Sequence, residues 1–373
     1  MRQTRTVVSF GRWRRDRAAA IEEFWSWWPG VAATVADNLE KAGSEQPDAS
    51  FYGDVTKRDR RALSGRMVRA LTDKVSAIHP ELTWELLDGI LARHALVLTS
   101  EGSPELRPLT ERWRRAGPGD DEFWEYYPAR PPNPGALRRP ITWHGVDILP
   151  QQARFGSEVD HDRGRMHIVV SHPQLPYLDD AQRLRLAFLL LDWALGEDDT
   201  ERWIGEVRFS ESPQELDVPG LRTALAGLAR EFRGVHWAQL EGVDEQGRSA
   251  ALQVRIPLPR LDYPLFDYLG TIEFLYQKPV EVADSSEMFA VSEPDTAELI
   301  ELEALTRGLV ALLGESAVLA ASATLPDRMT LHFYACAQGV VPDQVAAWSS
   351  QQQRPVRVVW APDPGWDTVR HFV

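Results

Sequence analysis

The chain has few of the residues that most often identify an enzyme or a metal protein. Cys336 is its single cysteine, so an internal disulfide and a zinc cluster built from cysteines are excluded. The most apolar run, Leu186–Leu195, has about half the length needed to cross a bilayer and contains Asp192. No apolar segment suited to a secretory signal follows the arginines of residues 1–17. These absences predict a cytoplasmic protein.

Motifs of nucleotide-binding and hydrolytic sites are also missing. The chain has no Gly-rich phosphate loop, dinucleotide fingerprint, nucleophile elbow or H-E-x-x-H helix. The best metal candidate is a hairpin that carries His161, Asp162, His167 and His172. In an extended strand His167 and His172 would lie roughly 16 Å apart and on opposite faces, too far for ligand distances of roughly 2 Å. We therefore predict no metal, no cofactor and no catalytic residue.

Charge is distributed unevenly along a chain whose net charge is −14. Residues 1–150 contain 22 Lys+Arg and 21 Asp+Glu, whereas residues 151–373 contain 19 and 34. An acidic carboxy-terminal part disfavours nucleic acid and anionic membranes as direct ligands. It suits a basic protein partner, or it only keeps the protein soluble. Both interpretations stay open, and the sequence does not indicate an oligomeric state.

The order of apolar patterns predicts an α+β fold of three consecutive hairpin–helix–strand units. Residues 1–137 form an N-terminal unit with an aromatic helix, and residues 138–240 form a middle unit. Residues 241–373 follow the order β-α-β-β-α-β, which is typical of a ferredoxin-like unit. The proline-rich segment 128–140 is predicted to be a linker, because prolines cannot join a sheet interior.

The aromatic helix is predicted over residues 18–41 and carries Phe24, Trp25, Trp27 and Trp28. Consecutive aromatic residues cannot share one helical face, so this helix is expected to be covered on two sides or docked onto another domain. An exposed platform on which a ligand stacks is the alternative.

The stretch Leu184–Phe209 is the element around which we expect the chain to be organised. It begins with a buried helix that ends at Gly196, continues as a short acidic helix and returns as a strand. Asp192 is the unusual residue, because it is an acid inside an apolar helix. A buried carboxylate needs a partner, which an arginine from a neighbouring strand would provide.

The same stretch provides the candidate binding site. Its members combine carboxylates with two tryptophans: Asp192, Trp193, Glu197, Asp198, Glu201 and Trp203. Carboxylates at this density bind a cation or perform acid–base chemistry. The alternative is structural, because acids at the beginning of a helix favour its dipole and its caps.

Three segments of the last predicted unit share a pattern with a known family. They are a Glu-rich helix with Glu301 and Glu303, the strand from Arg328 to Tyr334, and the terminal Asp363, Pro364 and Trp366. Together they resemble the bacterial family catalogued as domain of unknown function 695. A tyrosine often lies three residues after the terminal tryptophan of that family, and this chain has Val369 there.

Two further segments resemble proteins of unknown role. One is the F-W-x-W-W pattern at residues 24–28, and the other is an L-D-x-x-L-G-E-x-x-x-E pattern at residues 191–201. None of these families brings catalytic residues with it. The fold that the resemblances imply is similar to ferredoxin-like regulators of ribonuclease activity, an analogy that does not establish function.

Three hypotheses about function follow. The leading one is a cytoplasmic, non-enzymatic binding or regulatory protein whose acidic surface engages a basic protein. Its rival is a hydrolase-type enzyme with a carboxylate-lined cleft between units. The third, a narrower form of the first, is an immunity-type inhibitor of a basic toxin.

Overall fold

The computed structural model describes residues 10–44, 63–243, 247–276 and 296–373. Helices and sheets both occur throughout these ranges, so the predicted α+β class is confirmed. The chain forms two compact units. The first compact unit comprises residues 1–157 and 168–223, and the second comprises 158–167 and 224–373. The domain boundaries placed at residues 137 and 240 stay a prediction, and residues 1–9 of the arginine-rich arm lie outside the described ranges.

The first compact unit begins with helices and a small sheet. Its first seven elements are α1 (Phe10–Trp27), α2 (Pro29–Ser44), α3 (Gly65–Ile78), β1 (Thr83–Asp88), β2 (His94–Thr99), α4 (Arg107–Ala116) and β3 (Trp124–Tyr127). The single helix predicted over residues 18–41 is thus two helices. Pro29 begins the second of them, where its missing N–H costs least.

Phe24 and Trp25 of α1, together with Trp28 directly after it, are core residues. Phe24, Trp25 and Trp28 are all buried, and the Trp25 ring stacks on Trp113 of α4 with centroids 4.8 Å apart. Trp28 donates a hydrogen bond from Nε1 to the hydroxyl of Tyr126 on β3, at 3.1 Å. Coverage from α4 and β3 explains how consecutive aromatic residues are all accommodated. These side chains are not an exposed stacking platform.

The sheet β1-β2-β3 separates this aromatic core from the region that carries the candidate site. β1 is antiparallel to β2, and β2 is parallel to β3. Trp84 and Leu86 belong to the aromatic core. Because side chains alternate along a strand, Glu85 between them points to the other face of the sheet.

The remaining elements of the first compact unit follow in chain order. They are β4 (Ile141–Trp143), β5 (Val146–Ile148), β6 (Arg154–Asp160), β7 (Arg165–Ser171), α5 (Asp180–Leu195), α6 (Glu197–Trp203), β8 (Ile204–Phe209) and α7 (Val218–Glu231). Residues 158–167, which join β6 to β7, and residues 224–231 of α7 belong to the second compact unit. Strands β6, β7 and β8 form one sheet in that order. Asp179 and Gln182 form a capping box at the beginning of α5.

Gly196 ends α5 and begins α6 with φ +90°. A Cβ at this position would lie 2.9 Å from Cδ of Pro132. Backbone conformation and available space therefore both require glycine here. The sharp turn lets α6 leave α5 directly beside the segment that contains Pro132.

The second compact unit contains a six-stranded sheet in the order β14-β11-β13-β12-β10-β9, and every paired neighbour is antiparallel. Its elements are β9 (His236–Val243), β10 (Ser249–Ile256), β11 (Tyr268–Leu275), α8 (Thr296–Leu313), β12 (Ala317–Thr324), β13 (Arg328–Ala335), α9 (Val341–Ser350), β14 (Val356–Pro362) and α10 (Asp367–Arg370). Leu302 and Leu309 of α8 pack with Val345 of α9 in the core that includes β11 and β13. The order β11-α8-β12-β13-α9-β14 is the expected one, and the ferredoxin-like assignment stays a prediction.

Candidate functional site

A pocket of about 760 Å³ lies in the first compact unit. It is lined by β1, by the turn after β2, by residues 130–133, by β4 and by the helices α5 and α6. The stretch Leu184–Phe209 provides just over half of its lining residues.

Arg130 is the centre of the acidic part of the pocket. Its Nε lies 2.6 Å from Oε1 of Glu85, and its Nη2 lies 2.6 Å from Oε1 of Glu101. Its Nη1 lies 3.7 Å from Oδ2 of Asp192. Burial opposes the charged form of Arg130, but the charges of Glu85, Glu101 and Glu197 outweigh it and raise the pKa of Arg130. One guanidinium thus serves three acids from three different parts of the chain.

Glu101 holds its position through an uncommon backbone conformation. Its φ is +52°, and the following Gly102 also has a positive φ, +74°. The Glu101 carboxylate accepts a hydrogen bond from the Thr83 hydroxyl at 2.5 Å in addition to its contact with Arg130. A positive φ is rare for a residue with a long side chain, and such residues are concentrated at functional sites.

Glu197 anchors the turn after β2 to α6. Its carboxylate accepts hydrogen bonds from the hydroxyl of Thr99, from the amide of Gly102 and from the amide of Arg130. Its own amide donates to the carbonyl of Arg130 at 3.0 Å. The side chain is buried. Glu197 therefore joins distant segments, which differs from the helix-capping role considered for the acids of this segment.

Asp192 is the acid with the most perturbed environment. Its side chain is 14% exposed. Burial, and after it the charge of Glu197, raise its pKa to about 7, although Arg130 opposes the shift. The predicted arginine partner exists, but it comes from the segment after β3 and lies beyond hydrogen-bond distance.

Thr200 of α6 lines the pocket beside Asp192 and is 5% exposed. Its Oγ1 is buried and makes no hydrogen bond of ordinary geometry within the described part of the chain. Buried hydroxyls nearly always have a partner, and an unmade hydrogen bond costs about 1–3 kcal/mol. Asp192 and the Thr200 oxygen therefore both keep lone pairs that a further donor could use.

One side of the pocket is apolar and exposed. Leu184 and Phe188 of α5 are 42% and 41% exposed, and they lie about two turns and one turn before Asp192, respectively. Ile141 and Trp143 of β4 also line the pocket. A ligand that touches this wall and the acids at once would need an apolar body and a positive charge.

The charges that line the pocket do not balance. Its carboxylates are Glu85, Glu101, Asp192, Glu197 and Glu201, and its cations are Arg130 and Arg185. Acidic side chains therefore outnumber basic ones in the lining by five to two. Opposite charges attract strongly where water is partly excluded.

The structure places four of the six candidate residues in the pocket lining and two outside it. Asp192, Trp193, Glu197 and Glu201 line the pocket. Asp198 instead forms a two-pronged ion pair with Arg107 of α4, with N–O distances of 3.0 and 2.9 Å, and buried Trp203 does not belong to the lining.

Several pocket residues were missed by sequence reasoning. Arg130 lies in the segment predicted to be a linker, and that segment packs into the first compact unit, with Ala129 and Leu137 buried and the Asn133 amide bound to the Trp193 carbonyl. Glu85 could have been identified from the sequence, because it is the only charged residue within the apolar part of its strand. Glu101 and Thr200 could not have been identified in this way.

The last motif of the chain forms a separate structural centre in the second compact unit. Asp363 accepts hydrogen bonds from the Tyr334 hydroxyl at 2.7 Å and from the amides of Asp367 and Thr368. Trp366 stacks on Tyr334 with ring centroids 3.9 Å apart. All of these contacts are internal, so the motif secures the carboxy-terminal turn to β13.

Comparisons with known proteins add no relative: no family model, no curated protein and no solved structure matches this chain. The resemblances noted from its motifs stay predictions. Among residues 10–44, 63–243, 247–276 and 296–373, no cluster of three His, Cys, Asp or Glu is placed to hold a metal ion. Within the same ranges, no helix has the length and apolarity that a membrane crossing requires.

Proposed function

We propose that this protein is a non-enzymatic binding or regulatory protein that engages a basic protein partner through the pocket around Arg130. The single observation that supports this most is the set of carboxylates that surrounds one guanidinium and still leaves acceptor atoms of Asp192 unbound by it. Acid-lined concavities raise the local concentration of cations and accelerate their association. A cytoplasmic location is part of the proposal.

A charge-neutralised variant tests this proposal. Glu101→Gln/Glu201→Gln removes two pocket charges and preserves side-chain size. Asp37→Asn/Asp73→Asn is the matched control, because it removes the same charge from exposed positions on α2 and α3, which pack on the aromatic core. Protein recovered from the native cell with each variant is identified by mass spectrometry, and the most enriched basic protein is then purified and titrated.

We expect the wild type and the control to retain this basic protein with equal affinity, and the pocket variant to lose at least tenfold. Equal affinity for all three proteins would reject the pocket as the contact surface. Immunity-type inhibition of a toxin is a special case of the same proposal, in which the basic partner is an enzyme that the complex inactivates.

A hydrolase is the second candidate function, and the Asp192 environment favours it. A carboxyl group with a pKa near 7 exchanges protons at neutral pH, as a general acid or base must. Glu101 and Glu197 lie near enough to influence that pKa. Screening of cationic ester and amide substrates tests this function: turnover abolished by Asp192→Asn supports a hydrolase, and turnover unchanged by it excludes this site.

A further inference from the structure

The apolar and the acidic sides of the pocket lie in line on one helix. Leu184, Phe188 and Asp192 are spaced four residues apart on α5, so they follow one another on the same helical face at intervals of about 6 Å. The two apolar residues are more than two-fifths exposed, whereas Asp192 is 14% exposed. The helix therefore presents an apolar approach that leads to a recessed acid.

We propose that the pocket receives the side chain of one arginine of the basic partner, with its stem along Phe188 and its guanidinium at Asp192 and Thr200. This inference rests on the proposed function and specifies the group that the pocket recognises.

The charged end of the ligand follows from the two acceptors at the recess. Thr200 is 5% exposed, and its Oγ1 makes no hydrogen bond of ordinary geometry within the described residues, although it lies close enough to Asp192 to lower the pKa of that carboxyl. The nearest guanidinium nitrogen of Arg130 is 3.7 Å from Asp192. A second cation with several N–H groups would satisfy both residues at once, whereas an anion would be repelled by the surrounding acids.

Arginine is favoured over lysine by the shape of the recess. Its planar guanidinium carries five donors in a fork that reaches two acceptors, and it stacks on an aromatic ring. Phe188 provides an exposed ring, and the acids around Arg130 already show that this pocket accommodates a guanidinium. The three methylene groups of an arginine stem span about one helical turn, which is the distance from Asp192 to Phe188.

Isothermal titration calorimetry with small probes tests the inference. Propylguanidinium reproduces the side chain, propylurea is its neutral counterpart, propylammonium stands for lysine, and methylguanidinium lacks most of the stem. We expect propylguanidinium to bind at least tenfold more tightly than propylurea and more tightly than propylammonium. Each methylene buried on the wall contributes about fourfold in affinity, so methylguanidinium should bind more weakly.

Substitutions in the pocket test whether the probe binds there. Asp192→Asn should remove the preference for propylguanidinium over propylurea, Thr200→Val should weaken propylguanidinium severalfold, and Phe188→Ala should remove part of the stem contribution. Asp73→Asn on α3 is the control and should bind like the wild type. Equal affinity for the charged and neutral probes, tighter binding of propylammonium, or an unchanged preference in Asp192→Asn would each overturn the inference.

The two proposals fail in different ways. Suppose that Glu101→Gln/Glu201→Gln no longer binds the basic partner, but that propylguanidinium binds the wild type no more tightly than propylurea. The proposed function then stands, and the proposal that the pocket receives an arginine side chain does not. If propylguanidinium binds as expected but the partner is retained by the pocket variant, the proposal of an arginine pocket stands and the partner uses another surface.

Discussion

Asp192 lies 3.7 Å from the guanidinium of Arg130, within ion-pair range but beyond a hydrogen bond. The same guanidinium is 2.6 Å from both Glu85 and Glu101, so it is committed to those two acids first. Asp192 is therefore a largely buried acid of α5 whose negative charge Arg130 compensates only in part.

This incomplete compensation predicts an unusual pH dependence of stability. The pKa of Asp192 is raised from 3.8 to about 7, so the folded chain holds its proton more tightly than the unfolded chain does. The contribution is therefore fully present below pH 4 and falls by about 1.4 kcal/mol per pH unit as the pH rises towards 7. Urea unfolding of the wild type and of Asp192→Asn should show that the variant loses less stability between pH 5 and 8. Parallel pH profiles would contradict the account.

Removal of Arg130 should destabilise the protein strongly. Arg130→Met leaves Glu85, 9% exposed, without its ion-pair partner, and the loss of one partner of a buried pair costs about 3–5 kcal/mol. Arg139→Met is the control, because Arg139 pairs with Asp88 at the surface, where such pairs contribute about 0–1 kcal/mol. Both are measured by urea unfolding, and similar losses in the two variants would mean that Arg130 is not a structural centre.

Gly196→Ala should destabilise by about 1–3 kcal/mol, because a positive φ and the contact with Pro132 both oppose a side chain. The control is Gly227→Ala in α7, where no atom lies within 4 Å of the added Cβ. That substitution should be stabilising by about 0.5–1 kcal/mol, because alanine is the better helix former. Thermal unfolding followed by circular dichroism measures both changes in stability. If both substitutions stabilise or both destabilise the protein, the special requirement for glycine at position 196 is refuted.

Asp363→Ala should cost about 2–3 kcal/mol, because it leaves the buried Tyr334 hydroxyl and two amides without their acceptor. Tyr334→Phe removes only one hydrogen bond and preserves the stack on Trp366, so about 1 kcal/mol is expected. Urea unfolding measures both. A loss in Asp363→Ala no larger than that in Tyr334→Phe would show that the bonds from Asp363 to the two amides do not stabilise the carboxy-terminal turn.

Regular elements were predictable where local pattern determines them. The strands at residues 94–99, 165–171, 317–324 and 328–335 and the helix at 296–313 lie where apolar alternation, turn residues and helical periodicity indicate. The Trp28–Pro29 break was missed because the helical pattern continues across a proline that begins a new helix. β9 and β10 were missed because their exposed positions weaken the alternation.

Only part of the candidate site could be predicted from the sequence. Asp192 was identifiable as an acid inside an apolar run, and four of the six candidates line the pocket. Arg130, the cation beside Asp192, was not identifiable from the sequence. It lies three residues after β3, in a proline-rich segment whose path depends on tertiary contacts with Glu197 and Trp193. Long-range pairing of this kind leaves no local pattern.

The affinity of propylguanidinium as a function of pH tests the central claim most directly. Asp192, with a pKa of about 7, is the acid at the recess whose charge changes near neutrality, whereas the guanidinium stays protonated throughout. The ionised fraction of Asp192 rises about tenfold from pH 6 to pH 8, and the affinity of the wild type should rise by about the same factor. Asp192→Asn should show weak affinity without this rise. A wild-type affinity that does not change with pH, or an identical rise in Asp192→Asn, would contradict the account.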